Sequence, residues 1–278
     1  MTVTDHLGMC IASLLPDPLA PTPQSVRDAL DAAAGAGFGE VSVWAWQLPL
    51  VTDAGTLEAA RSALDGRGLR VRVVEAATAW SAGTEAETRA EASSIAAAVE
   101  AVGASSVLAC CLEPTLADPD GARSRLAVLA DAVGRVGARV GVEFLPWSGI
   151  ANLRAVWDLV EPLGGVGLVF DTWHWQRQPG GGDLELLASI PAERFTFVQL
   201  SDAPAVASGE LMDETMNRRL LPGDGAVDFA GPLHALAAIG ADPFVAIELF
   251  NPSLLSDRGV GPAAVAMREA GERVLAAR

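Results

Sequence analysis

The sequence predicts an α/β protein whose residues 1–278 form a single domain, a (β/α)8 barrel. Short apolar runs of strand length alternate with longer alanine-rich stretches in which apolar residues recur at helical spacing. The alternation repeats eight times, which predicts a parallel sheet closed into a barrel with its helices outside. The length of 278 residues suits one large domain of this kind.

The predicted strands are apolar nearly throughout, as expected for strands that are buried on both faces. They cover residues 7–12, 40–44, 70–74, 106–110, 139–143, 166–171, 195–200 and 243–248. Two long stretches without a helical pattern, 203–227 and 251–260, follow the last two strands. They therefore belong to the face on which such barrels place their active sites.

The predicted helices carry capping residues at their starts, such as Thr84 and Asn152, and glycines often follow their ends. They cover residues 22–36, 55–65, 84–102, 119–134, 152–163, 182–189 and 228–238, with a final helix at about 262–277.

The composition excludes several classes of function. A net charge of −16 disfavours nucleic acid and anionic membranes as partners, because both would repel the chain. No apolar run is long enough to span a bilayer, and the N-terminus lacks the features of a signal peptide. We expect a soluble cytoplasmic protein with three free, buried thiols, Cys10, Cys110 and Cys111. The oligomeric state stays open, with a homodimer or homotetramer as candidates.

The chain contains no lysine, since all 19 basic residues are arginine. Schiff-base chemistry requires a lysine amine, so lysine-dependent aldolases are excluded. A phosphate-binding loop of the Walker type is excluded for the same reason. Any cationic contact with a substrate must come from arginine.

Four polar residues lie at the ends of four consecutive predicted strands: Glu143, Asp171, Gln199 and Glu248. In a parallel barrel these ends converge on one face. Three carboxylates and an amide around one point would repel one another without a cation. Such oxygen ligands suit one divalent metal ion, Mn²⁺ or Mg²⁺ first, with Co²⁺ or Zn²⁺ as alternatives. The competing interpretation is that each is an ordinary polar residue at a strand end.

His174 follows Asp171 by three residues on the same predicted face. It is a candidate for a general base, or for a residue that orients a substrate oxygen. The other two histidines, His6 near the terminus and His234 in a predicted helix, are interpreted as structural or exposed.

Arginines and tryptophans near the strand ends are candidates for substrate binding. Arg218 and Arg219 lie in the long seventh loop, and the sequence does not decide between them. Six of the seven tryptophans fall at or just beyond strand ends. We expect Trp44, Trp147 and Trp173 to line the mouth for the apolar face of a sugar, cyclitol or ring, although aromatic caps over the barrel end would give the same pattern.

Over nearly its whole length the chain resembles the xylose-isomerase-like TIM barrels, also called sugar phosphate isomerase/epimerase proteins. The motifs that carry the resemblance are GVE at 141–143, FDTWH at 170–174, VQLSD at 198–202, LPGDG at 221–225 and IE at 247–248. The resemblance implies that Glu143, Asp171, Gln199 and Glu248 bind one divalent metal, that His174 contacts substrate or moves a proton, and that an arginine of the seventh loop binds substrate.

The resemblance also implies proton abstraction next to a carbonyl, with Glu143 and Glu248 as base and acid in the epimerase branch. In the 3-dehydroshikimate dehydratase branch, the histidine removes the proton and water is lost. Gln199 departs from the epimerases, which usually carry histidine there, and the lysine of xylose isomerase is absent. Three histidines and a strong negative charge disfavour a DNA-repair endonuclease.

We therefore expect a metal-dependent isomerase or epimerase of a small sugar-like or keto-polyol substrate, acting by enolisation. A dehydratase of a cyclic keto-acid or keto-cyclitol is the alternative. A barrel that binds a ligand without catalysis is a third interpretation.

Overall fold

The eight predicted strands form one closed parallel barrel in the computed structural model, which describes residues 7–277, so that His6 lies outside them. The strands neighbour one another in sequence order, and the last pairs with the first. They are β1 Leu7–Cys10, β2 Glu40–Trp44, β3 Arg70–Ala77, β4 Ser106–Cys110, β5 Arg139–Glu143, β6 Val166–Asp171, β7 Phe195–Leu200 and β8 Phe244–Ile247. The predicted (β/α)8 barrel is confirmed.

Five strands have the predicted bounds, and the other three differ for identifiable reasons. β1 ends early because residues Ile11–Leu14 turn into a 3-10 helix. β8 is shorter, although the main-chain N–H of Glu248 still bonds to the carbonyl of Leu200. β3 runs on to Ala77, past the predicted end at residue 74, with a shift of register against β4.

The helices lie outside the barrel, and Thr84 and Asn152 cap their helices as predicted. No helix among the residues described is long and apolar enough to cross a bilayer. The α-helices are Pro23–Gly35, Leu57–Asp65, Ala79–Ala82, Glu85–Val102, Pro119–Arg135, Leu153–Val160, Thr172–Arg177, Leu184–Ser189, Leu211–Asn217, Ala230–Ala238, Pro252–Arg258 and Val260–Ala276, and 3-10 helices cover Ile11–Leu14, Ala45–Val51 and Ala192–Arg194.

The prediction that residues 203–227 and 251–260 lack helices is wrong. Helix Leu211–Asn217 forms inside the first stretch, where buried contacts of Glu214 hold it. Helix Pro252–Arg258 forms inside the second and has a local signal, because the Asn251 side chain accepts the N–H of Leu254 directly before a proline at the first turn.

The barrel interior changes from apolar to polar toward the carboxyl ends of the strands. Glycines make room for bulky rings at the lower end, where a Cβ on Gly8 would come within 2.2 Å of Phe244. Side chains of one strand face repeat every second residue. The layer above the apolar interior cluster therefore holds the side chains of Glu75, Glu143, Asp171, Gln199 and Glu248.

Candidate active site

The four strand-end residues predicted as metal ligands meet at one mouth of the barrel. Asp171 and Gln199 are direct partners across β6 and β7. The Gln199 amide Nε2 donates to Glu248 Oε1 at 2.8 Å. Oxygens of Glu143 and Asp171 and a ring nitrogen of His174 lie within 4.8 Å of one another. All of these side chains are buried.

Arg219 lies among these carboxylates and is itself buried, with a side chain only 2% exposed. Its Nη1 is 2.7 Å from Asp171 Oδ2 and 3.3 Å from Glu248 Oε2. Its Nη2 is 3.4 Å from Nε2 of His174. The guanidinium thus links the acidic residues to the histidine and is fixed in place by hydrogen bonds.

Arg218, the neighbouring candidate, has a different position. Its guanidinium pairs with Asp213, and its side chain is 51% exposed. Among the described contacts, only Arg219 of this pair joins the buried acidic cluster.

The loop after β7 positions Arg219 and is itself held by the buried side chain of Glu214. Glu214, on helix Leu211–Asn217, is fully buried. Its carboxylate accepts from Arg177 Nε at 2.7 Å, from Trp173 Nε1 at 3.2 Å and from the main chain of Ser208 at 2.6 Å. These bonds tie the loop helix to the helix that follows β6, so that the next residues run across the mouth.

Asp202 organises the rest of the same loop. Its carboxylate accepts four main-chain N–H groups, those of Ala203, Gly223, Gly225 and Val227, at 2.8–2.9 Å. A Cβ on Gly225 would lie 2.3 Å from the carbonyl of Ala203, so this close approach requires glycine. The pairing explains why the sequence carries both an aspartate after β7 and a Pro-Gly-Asp-Gly turn.

His174 is placed by the aspartate that precedes it. Asp171 caps helix Thr172–Arg177, and its Oδ1 accepts the His174 N–H at 2.9 Å. The ring Nε2 lies 3.2 Å from Glu143 Oε1, and Nδ1 has no hydrogen-bond partner in the part of the chain described. The spacing of three residues between Asp171 and His174 therefore reflects helix capping, which places the His174 ring beside Glu143.

The three predicted tryptophans differ in what they present to the mouth. Trp44 is partly exposed and packs on Phe250, with ring centroids 6.1 Å apart. Trp147 is also partly exposed and lies 5.3 Å from the His174 ring. Trp173 is fully buried beneath the guanidinium of Arg219, with the ring centroid 5.3 Å from it. Trp44 and Trp147 thus retain accessible ring surface.

Two residues of the mouth were missed from the sequence, Glu75 and Cys10. An oxygen of Glu75, the sulfur of Cys10 and an oxygen of Glu248 lie within 4.8 Å of one another, and all three residues are buried. Burial raises the pKa of Glu75 to about 7. The predicted third strand ended one residue before Glu75, so it was not counted among the strand-end acids.

The pKa values of Asp171 and Glu248, the two acids that contact Arg219, are shifted in opposite directions. Burial raises the pKa of Glu248 well above its ordinary value, and neighbouring carboxylates add to this although Arg219 opposes it. Burial also favours the neutral form of Asp171, but the charges of Arg219 and His174 outweigh it and lower its pKa. Carboxylates crowded in a dry pocket disfavour one another's charged forms, and a divalent cation relieves this.

The donor set fits a divalent cation. Gln199 Oε1 is buried and accepts no hydrogen bond from the described residues, and Glu143 Oε1 is buried facing the ring Nε2 of His174 at 3.2 Å. Buried polar atoms rarely stay unpaired in folded proteins. Both are hard oxygen donors beside further carboxylates, which is the chemistry preferred by Mg²⁺ and Mn²⁺ and accepted by Zn²⁺.

The chain is similar to a family of known barrels and, over part of its length, to two groups of enzymes. The family model of the xylose isomerase-like TIM barrel matches residues 30–274. A stretch of 129 residues is 32% identical to 3-dehydroshikimate dehydratase of Pseudomonas putida and covers 45% of this chain but 20% of that protein. A stretch of 131 residues is 31% identical to inosose isomerase of Bacillus velezensis and covers 46% of this chain and 45% of that protein. The matched stretches span less than half of either relative.

The fold is also similar to the solved structure of the IOLI protein with a bound zinc atom. The TM-score is 0.83 over 98% of both chains, at 19% sequence identity. This similarity establishes the shared fold.

Proposed function

We propose that this chain, which belongs to the xylose isomerase-like TIM barrel family, is a divalent-metal-dependent isomerase or epimerase that acts by enolisation on a small sugar-like or keto-polyol substrate. The proposal is supported by the approach of Glu143 to Asp171 and of Gln199 to Glu248 at the buried mouth, with Gln199 Oε1 left without a hydrogen bond from the described residues. Partial matches to an inosose isomerase support the isomerase class.

The four strand-end residues would hold the cation through their side-chain oxygens. Rotation of the Gln199 amide would free Glu248 Oε1, which now accepts from Gln199 Nε2. When bound, a divalent cation polarises a substrate carbonyl and lowers the cost of removing the neighbouring C–H proton.

Glu143 and Glu248 are proposed to move the proton. One carboxylate takes it from the carbon next to the carbonyl, and the other returns a proton to the enediol carbon. They approach the mouth from β5 and from the end of β8, so they reach the substrate from different sides. Return of the proton to the same carbon gives the epimer when it comes from the opposite side and the unchanged substrate when it comes from the same side. Delivery to the neighbouring carbon, which was the carbonyl carbon, gives the isomer when a proton also moves from one enediol oxygen to the other.

His174 and Arg219 are proposed to act on the substrate oxygens. His174 lies 3.2 Å from Glu143, within reach of a proton relay or of a substrate hydroxyl. Arg219 supplies the positive charge that stabilises the enediolate oxygen as it forms.

The reaction class is tested by exchange of substrate C–H protons with D₂O, followed by NMR, on the Mn²⁺-loaded protein with an inosose and with 3-dehydroshikimate. Exchange or a new sugar isomer without loss of water supports the proposal. Growth of aromatic absorbance with 3-dehydroshikimate, or of enone absorbance with the inosose, would instead support the dehydratase, which Gln199 and the partial match to that enzyme favour as the second candidate. Binding of either compound without exchange or absorbance would support a barrel that only binds its ligand.

The metal site is tested by metal analysis of purified protein. We expect Glu143→Ala and Asp171→Ala to lose most of the bound divalent metal, whereas Glu100→Ala, at an exposed position of a helix, should retain it. Full occupancy in both site variants would refute the four-ligand site. A His174→Asn variant that keeps its metal and full turnover would remove His174 from the mechanism.

A further inference from the structure

We propose that Glu75 binds a substrate hydroxyl and makes the mouth selective for uncharged polyhydroxy ketones over keto acids. The inference rests on the proposed function, since it assigns the substrate class of the same site. It is carried by the position of Glu75, by its unpaired buried oxygen and by the balance of charges around it.

Glu75 belongs to the interior of the barrel at the level of the other acids. It pairs in register with Trp44 of β2 and lies two residues beyond Val73, which is part of the apolar interior cluster. An oxygen of its carboxyl group lies within 4.8 Å of an oxygen of Glu248. A substrate that reaches Glu248 therefore also reaches Glu75.

One oxygen of the Glu75 carboxyl group lacks a hydrogen-bond partner among the described residues. The residue is 2% exposed, and Oε1 accepts no hydrogen bond from the described residues. The neighbouring Ser42 hydroxyl is fully buried beside the same carboxyl group. Leaving a carboxyl oxygen unpaired in a dry interior costs free energy, so a ligand group that donates a hydrogen bond is the complementary occupant. A hydroxyl group on a carbon of the substrate has this capacity.

The charges at the mouth disfavour a substrate carboxylate at this position. In the part of the chain described, Arg219 is the only arginine with an ion pair to the acids of the mouth, and those contacts are to Asp171 and Glu248. Near Glu75 an anionic group would meet the carboxyl groups of Glu75 and Glu248, while the two arginines of β3, Arg70 and Arg72, form ion pairs with Glu40. Like charges that meet in a desolvated pocket repel strongly. A neutral keto-cyclitol or ketose avoids this cost.

The experiment is isothermal calorimetry of the Mn²⁺-loaded protein with two ring ketones, an inosose, which is neutral, and 3-dehydroshikimate, which carries a carboxylate. We expect the wild type to bind the inosose more tightly. Glu75→Leu should weaken inosose binding by about tenfold, the value of one lost hydrogen bond to a ligand. Glu75→Gln should restore binding to within about threefold of wild type, because the amide oxygen still accepts a hydroxyl.

Metal content, circular dichroism and the urea midpoint of each variant separate this role from others. Unchanged inosose affinity in Glu75→Leu, tighter binding of the keto acid by the wild type, or binding of neither ring ketone would overturn the proposal. Loss of metal in both Glu75 variants would also overturn the proposal, because it would indicate that Glu75 binds the metal and not a substrate hydroxyl. Exchange of substrate protons with solvent is measured separately on the wild type. The enolisation proposal can therefore stand when the assignment of Glu75 fails, and the assignment of Glu75 can stand when no exchange is seen.

Discussion

The burial of Arg219 gives the sharpest prediction for stability. Replacing Arg219 by methionine keeps most of the side-chain volume but removes the guanidinium that faces Asp171 and Glu248. Both carboxylates would remain buried, since they are 0% and 5% exposed. Removing one partner of a buried ion pair costs about 3–5 kcal/mol, because the remaining charge is left without compensation.

Arg218→Met is the matched control. The neighbouring arginine forms one ion pair with Asp213, and its side chain is 51% exposed. A pair of this kind contributes about 0–1 kcal/mol. Two substitutions of the same chemistry at adjacent positions should therefore differ several-fold in their effect on the free energy of unfolding.

The assay is urea unfolding of metal-free protein, followed by circular dichroism, for the wild type and both variants. A double-mutant cycle that combines Arg219→Met with Asp171→Asn should give a coupling energy of about 1–3 kcal/mol. Asparagine keeps the oxygen that caps His174, so the cycle isolates the contact with Arg219. A loss below about 1 kcal/mol for Arg219→Met would refute the reasoning, because it would place the pair among exposed ones.

Three further predictions concern the scaffold and the thiols. Asp202→Asn should destabilise the protein by on the order of 3 kcal/mol in urea unfolding, because two of the four N–H groups bound by the carboxylate lose an acceptor; an unchanged midpoint would contradict this. Gly141→Ala should cost about 1–3 kcal/mol, since the new Cβ would lie 2.0 Å from Thr196 Oγ1, and a second change, Thr196→Ala, should recover part of the loss. Burial raises the pKa of Cys10 and Cys110 well above that of a free thiol, so Ellman's reagent should label them slowly in the native protein and rapidly in urea; fast native labelling of both would refute this.

The three acids and the amide at the strand ends could be predicted because the patterns that reveal them lie within short stretches of sequence. Apolar runs fixed the bounds of β5, β6 and β7, and a parallel barrel brings the ends of such strands together. Glu143, Asp171 and Gln199 each lie at or next to such an end. Glu75 was not predicted in this way because β3 continues beyond its apolar run. The continuation involves a shift of register against β4, so it depends on the neighbouring strand.

The choice between Arg218 and Arg219 shows where local information stops. The two residues are adjacent and chemically identical, so no sequence pattern distinguishes them. Their orientation follows from the buried pair of Glu214 with Arg177 and from the bridge between Asp202 and residue 220, contacts that join segments 18 to 37 positions apart.

The sequence by itself determined the barrel and most of the acidic mouth, because apolar strand runs, helical spacing and helix caps depend on near neighbours. Only the tertiary structure decided which arginine enters the mouth, that Trp173 is buried while Trp44 and Trp147 keep exposed surface, and that Glu75 joins the acids. These outcomes depend on contacts between distant segments, whose burial and charge pairing exist only once the barrel has closed.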